Sequence, residues 1–213
     1  MDKAIGLRCR CGHVRGTAQV SSGTGTHLVC YCDDCQAFVN HLGRADVLDA
    51  AGGTAIFQMA PARLHITQGQ DALRCLRLSP KGMVRWYTDC CRTPVGNTVA
   101  GRLPFVGVIV AFMDFESAAL EPNAVLGQPA LILGKFAIGG VPKGAHPKMP
   151  PGLLLRIATR LATWWLSGKG QPSPFCDAQY QPRVPPTVLA PEQRASLRAP
   201  AQAAAATSSN AVP

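Results

Sequence analysis

Charge is scarce in this sequence, and acid scarcer still. Only 15% of residues are charged, and 12 Asp and Glu face 21 Lys and Arg. With 47% hydrophobic residues, that low charge excludes a globally disordered chain, because there is ample apolar surface to bury. Long apolar runs are also missing: none approaches the roughly 18 residues that a membrane helix requires. The opening Met1-Asp2-Lys3-Ala4-Ile5-Gly6 lacks the apolar stretch of a secretory signal. A cytoplasmic location without a membrane span is the expectation. Internal repeats are absent apart from paired cysteines.

What is abundant is cysteine. Nine in 213 residues is an odd count, and without export a disulfide framework is not expected. Clustered reduced thiols point to metal. The net charge of +9 suggests an anionic partner without choosing one.

Residues 1–115 read as a mainly β domain. Strand-length apolar or β-rich runs occur at 26–29, 55–58, 64–67, 73–78, 84–87 and 105–112. Ser79-Pro80-Lys81-Gly82 has the chemistry of a hairpin turn. No long helical period appears before residue 115; residues 44–51 suit a turn or two of helix. An extension over 116–170 carries a strand within 130–138 and a helix at 152–167, with Arg156, Arg160 and Thr163 on one polar stripe. That helix is apolar on most faces, which predicts packing on its own domain or a homodimer through 152–167, with Trp164 and Trp165 buried there. Residues 171–213, rich in proline and alanine, are expected to be a disordered tail, above all from 182 onward.

Three cysteine clusters carry the chemistry: Cys9-Arg10-Cys11-Gly12, Cys30-Tyr31-Cys32-Asp33-Asp34-Cys35 and Cys90-Cys91. Zinc is held tetrahedrally by thiolate and imidazole, with ligands offered in close pairs from tight turns. Cys9 and Cys11 form such a pair, and Cys90 and Cys91 can complete four thiolates. Adjacent residues in a strand point to opposite faces, so Cys91 is the safer ligand and Cys90 needs a tight turn to converge. The middle cluster offers three sulfurs and no neighbouring fourth. An open catalytic zinc and a closed structural one with a distant fourth ligand both fit that spacing.

These motifs resemble the signatures of the glutathione-dependent formaldehyde-activating enzyme family, which also includes the vertebrate centromere protein V. The family pattern is C-x-C-G-x-V-[RK], then C-x-C-x-x-C, then C-x-x-C-G-T-P. Here Cys9–Arg15, Cys30–Cys35 and Cys91-Arg92-Thr93-Pro94 stand in that order over residues 7–100. The resemblance implies small coiled antiparallel sheets around zinc, of the type called a β-tent, followed in this chain by a C-terminal helix. It implies a structural zinc at Cys9 and Cys11 with the third signature. It also implies a second zinc at Cys30, Cys32 and Cys35, where a thiol such as glutathione and a small aldehyde such as formaldehyde join or part in carbon–sulfur lyase chemistry. Three departures stand out, the first being Gln36-Ala37-Phe38-Val39-Asn40-His41 where the family has an arginine and a Ser/Thr-Gly segment. Thr88 occupies the place of the third signature's first cysteine, so Cys90 is expected to supply the ligand, and Arg92 replaces a glycine.

Other residues have a functional and a plain reading. His41, six residues past Cys35, suits a fourth ligand or a solvated loop. His13 and His27 suit packing better than ligation. Asp33 and Asp34 suit a general base or turn hydrogen bonding. Cys75 reads as a small buried hydrophobe and Cys176 as an incidental thiol. Arg8, Arg10, Arg15 and Arg92 suit a cationic patch for carboxylates, or a solubilising face. A non-catalytic zinc module binding nucleic acid or a protein partner is the competing reading. It is favoured by the charge and weakened by the lack of aromatics among the basic residues.

Overall fold

In the computed structural model, residues 2–99 and 101–197 are described. The strands run β1 Lys3–Arg8, β2 Arg15–Val20 and β3 Gly25–Cys30, then helix α1 Asp33–His41. Next come β4 Thr54–Met59, β5 Leu64–Gln68, β6 Leu73–Arg77, β7 Val84–Thr88, β8 Pro94–Thr98 and β9 Val106–Ile109. A short helix α2 Pro122–Leu126, strand β10 Ala130–Ile132, helix α3 Pro151–Leu166 and strand β11 Thr187–Val188 complete the order.

The fold is mainly β, as expected. One sheet has the order β1-β2-β5 and the other β10-β3-β4-β9-β8-β7-β6-β11. All pairings are antiparallel except the two outer ones, β10 with β3 and β11 with β6. The alternation in β1 and β2 puts Ile5, Leu7, Ala18 and Val20 inside and polar partners outside. Strands β8 and β9 are buried along their whole length and read as continuous core. Three apolar layers result. One gathers Ile5, Leu7, Phe57, Met59, Trp86 and Phe112, a second packs α1 through Phe38 and Leu42 onto Leu76 and Ile109, and a third sets Leu28, Ile56, Ile132 and Leu153 around Cys30 and Cys35.

Helix α1 is a correction to the sequence reading, which sees no helix there. Its nine residues show no sustained apolar period, and its start is fixed instead by Cys32, whose side chain accepts from the Cys35 N–H at the N-cap. The expected turns of helix at 44–51 shrink to a single 3₁₀ turn at Ala45–Val47. Strands β1, β2 and β8 also escape the sequence reading, since glycine, arginine and proline interrupt them.

The expected disordered tail is corrected over 171–197. Phe175 is wholly buried with its ring 5.0 Å from that of Trp86, Leu189 is buried against α1, and β11 pairs with β6. Proline-rich composition concealed three anchors: an aromatic, an edge pairing, and the Cys75 thiol donating to the Val184 carbonyl at 3.1 Å. The remainder of the predicted tail, 198–213, lies outside the described residues.

Candidate metal centres

The first centre joins the two sheets. After β1 the chain turns at Cys9–Gly12, closed by the Gly12 N–H on the Cys9 carbonyl at 2.9 Å, and Gly12 takes φ +77°, where a side chain is strained. Between β7 and β8 the turn from Thr88 to Thr93 is closed by Arg92 N–H on Thr88 O at 2.8 Å. Arg92 sits at φ +54°, the left-handed region that favours glycine.

These turns bring Cys9, Cys11, Cys90 and Cys91 together, with all four Sγ within 4.8 Å of one another. The Sγ separations are 3.6 Å for Cys9–Cys11, 3.9 Å for Cys9–Cys90, 3.4 Å for Cys11–Cys90 and 3.8 Å for Cys90–Cys91. A tetrahedral ion with metal–sulfur bonds of about 2.3 Å needs sulfurs about 3.8 Å apart. The donor set fits that requirement. Cys90 therefore joins the cluster, as the turn permits, and Thr88 stands beside it. Thr88 Oγ1 instead lies 3.4 Å from Cys91 Sγ.

Thr93 ties the turns together. Its Oγ1 accepts from the Arg10 backbone N–H and from Arg44 Nη1, each at 3.0 Å, leaving its own hydrogen for Cys91 Sγ at 3.2 Å. Burial raises the Cys91 thiol, but the hydroxyls of Thr88 and Thr93 outweigh it and bring it down to about 5. Cys9 Sγ accepts from the Val14 N–H at 3.2 Å.

The second centre sits where β3 meets α1. Cys30 ends the strand, Cys32 caps the helix and Cys35 lies in its first turn, and their three Sγ fall within 4.8 Å of one another. A helix N-terminus carries partial positive charge and favours thiolates. Among the described residues no His, Cys, Asp or Glu provides a fourth donor at that spacing. Hydrogen bonds from Cys30 and Cys32 hold the Cys35 thiol well below the ordinary range, and Arg85 adds to the effect.

Arg85 is the residue that sequence reasoning missed. It is only 4% exposed on β7, with Nη1 3.8 Å from Cys35 Sγ and 3.3 Å from Asn97 Oδ1. Its Nη2 is 4.0 Å from Asp34 Oδ2, and its guanidinium lies 5.5 Å from the centre of the Phe38 ring. In sequence it is one cation in an ordinary strand; the only signal is an arginine at an inward position.

The other candidates fall elsewhere. His27 Nδ1–H donates to the Gly127 carbonyl at 2.7 Å, His13 is exposed, and none of His13, His27 and His41 joins a cluster. Asp34 pairs with Arg194 at 3.2 Å, which brings the C-terminal segment beside the second centre, and Asp33 accepts from the Asp34 N–H. The predicted cationic patch is partly spent: Arg8 pairs with Asp114 at 3.3 Å, while Arg15 and Arg92 donate to the carbonyls of Gly12 and His41. Cys75 is buried as expected, and Cys176 is packed against the core.

Fold and sites together define a mainly β protein whose two cysteine clusters can each hold a metal ion. The chain belongs to a family of unknown function, DUF6151, whose model matches residues 1–182. No curated protein matches it. A crystal structure of a Rhodobacter sphaeroides protein, a Northeast Structural Genomics target, is similar at a TM-score of 0.41 and 17% identity. That match covers 58% of this chain and 96% of that one.

Proposed function

We propose that the protein is a two-zinc enzyme in which Cys30, Cys32 and Cys35 with Arg85 form the reactive centre and the Cys9, Cys11, Cys90, Cys91 site is structural. The observation that carries this reading is the asymmetry of the donor sets. The first centre offers four thiolates spaced for a closed tetrahedron; the second offers three beside a buried guanidinium. Three thiolates on a divalent ion leave a net charge of about −1, which opposes an anionic fourth ligand. Arg85 cancels that charge from 3.8 Å away, so a substrate thiolate is tolerated there.

When bound, zinc supplies Lewis acidity that lowers the pKa of a coordinated thiol. The chain's own groups do the rest. Cys30, Cys32 and Cys35 fix the ion at the α1 N-terminus, Asn97 and Phe38 hold Arg85 in register, and Asp34 orients it from the helix side. The reading follows the resemblance in its chemistry: a small aldehyde and a thiol such as glutathione combine, a C–S bond replaces the carbonyl π bond, and the thiol proton ends on oxygen. The reverse step releases the aldehyde.

Exchange NMR on glutathione with formaldehyde tests this. Wild-type protein should accelerate exchange between free thiol and hydroxymethyl adduct, and Cys32→Ser should abolish the acceleration. Equal exchange with both proteins contradicts the assignment.

A further inference from the structure

Helix α3 is packed on one side only. Leu153 is buried, Ile157 packs against the apolar layer around the second centre, and Arg160 Nη1 donates to the Gly23 carbonyl at 2.7 Å. At helical spacing, Leu154, Ala158, Ala162 and Trp165 line the opposite face with Leu155 and Leu166 beside them. That face is bare: Leu154 is 56% exposed, Leu155 66%, Trp165 63% and Leu166 79%. An apolar cavity of about 500 Å³ runs between it and Arg102 and Leu103. The expectation that α3 buries this face in its own domain is thus overturned.

Charge selects what covers it. Between Glu121 and Asp177 the sequence contains no acidic residue and six cations, Lys135, Lys143, Lys148, Arg156, Arg160 and Lys169. All of these except the half-buried Arg160 are exposed. A second copy of this uniformly basic segment would offer no acid of its own to offset these charges. An anionic surface is complementary.

We propose that α3 is an interfacial helix that docks this protein on anionic phospholipid bilayers. Leu154, Leu155, Trp165 and Leu166 enter the boundary between headgroups and acyl chains, and Arg156, with Lys148 and Lys169 that flank the helix in sequence, meets the lipid phosphates. Amphipathic helices with tryptophan or leucine on one face and lysine or arginine beside it bind in this manner, in the plane of the interface. Tryptophan is favoured at that depth, where its ring is apolar and its N–H stays wet. The helix lies on the bilayer and does not cross it, in keeping with its 16 residues.

Flotation of the full chain with phosphatidylcholine vesicles, with and without phosphatidylglycerol, tests the proposal. Binding should appear with phosphatidylglycerol, fall steeply with added salt, and be at least about tenfold weaker to phosphatidylcholine alone. Leu155→Ser with Trp165→Ser should cut binding at least about tenfold while metal content is unchanged, since both side chains are in solvent. Charge reversal at Lys143, Lys148 and Lys169 should do the same with the apolar face intact. The proposal is overturned by equal binding to both vesicle types, or by no binding to either. It is equally overturned if the lipid-free chain is a dimer that the Leu155 and Trp165 changes dissociate, for then a second copy occupies the face.

Discussion

Arg85 Nη1 stands 3.8 Å from Cys35 Sγ, a buried guanidinium set against a sulfur in the first turn of α1. Neither group would be stable there alone. The desolvation of an arginine this deep is repaid only by close partners, and those partners are a sulfur, the Asn97 amide oxygen and the Asp34 carboxylate. Replacing it by methionine keeps the volume and removes the charge. Arg85→Met should lower stability by about 3–5 kcal/mol in chemical denaturation of the metal-loaded protein. In the metal-loaded protein it should weaken thiol binding at the second centre at least about tenfold, with Arg85→Lys intermediate. Thiol affinity unaltered in Arg85→Met would remove the charge-compensation argument.

The first centre should behave as a fold-forming site. Structural zinc contributes about 10 kcal/mol or more to the folding of small zinc peptides. Cys9→Ser and Cys91→Ser should therefore yield unfolded or insoluble protein. Cys90→Ser should lose the same metal, because Cys90 Sγ lies 3.4 Å from Cys11 and 3.9 Å from Cys9. Thr88→Ala should retain it. Soluble yield and metal content, compared for the two variants, separate the ligand from its neighbour.

The legibility of this protein from sequence divides along physical lines. The two cysteine clusters were readable because short sequence spacings within tight turns bring sulfurs together, and spacing survives without a structure. Five of the six expected runs became strands nearly residue for residue, since β-branched and apolar residues in them alternate or cluster. Arg85 and α1 were not readable. Each depends on partners about 50 residues away or on a single capping sulfur, and neither leaves a periodic trace. Residues 171–197 were misread because composition averages over a segment, whereas Phe175 and Leu189 anchor it singly.

That anchoring gives a further expectation. Phe175→Ala removes a fully buried ring packed at a tilt against Trp86 and should cost about 3–5 kcal/mol, measured by denaturant melts. A chain ending at residue 170 should be less stable still. A loss below 1 kcal/mol, about the cost of an ordinary surface change, would place the segment off the core.

Acid should weaken the fold through His27. Burial lowers its pKa from the ordinary 6.5, only partly opposed by the hydrogen bond to the Gly127 carbonyl. The unfolded chain therefore takes up a proton at 6.5 that the folded chain resists, and stability present above pH 6.5 is lost as pH falls. His27→Gln preserves a donor toward Gly127 without that titration. Its stability between pH 6.5 and 5 should decline less than that of the wild type, in denaturation series at matched ionic strength. Parallel slopes for the two proteins would assign the acid sensitivity to other groups.

The most direct test of the account is cobalt substitution at the second centre, read by its visible spectrum while glutathione is added. Two ions per chain should load, and Cys32→Ser should load one. Glutathione should shift the spectrum of the wild-type two-cobalt protein to that of four sulfurs about the second ion, and leave Cys32→Ser unchanged. A wild-type spectrum that already reports four saturated protein ligands and ignores the thiol would make the second centre structural, and the proposed chemistry would have no site.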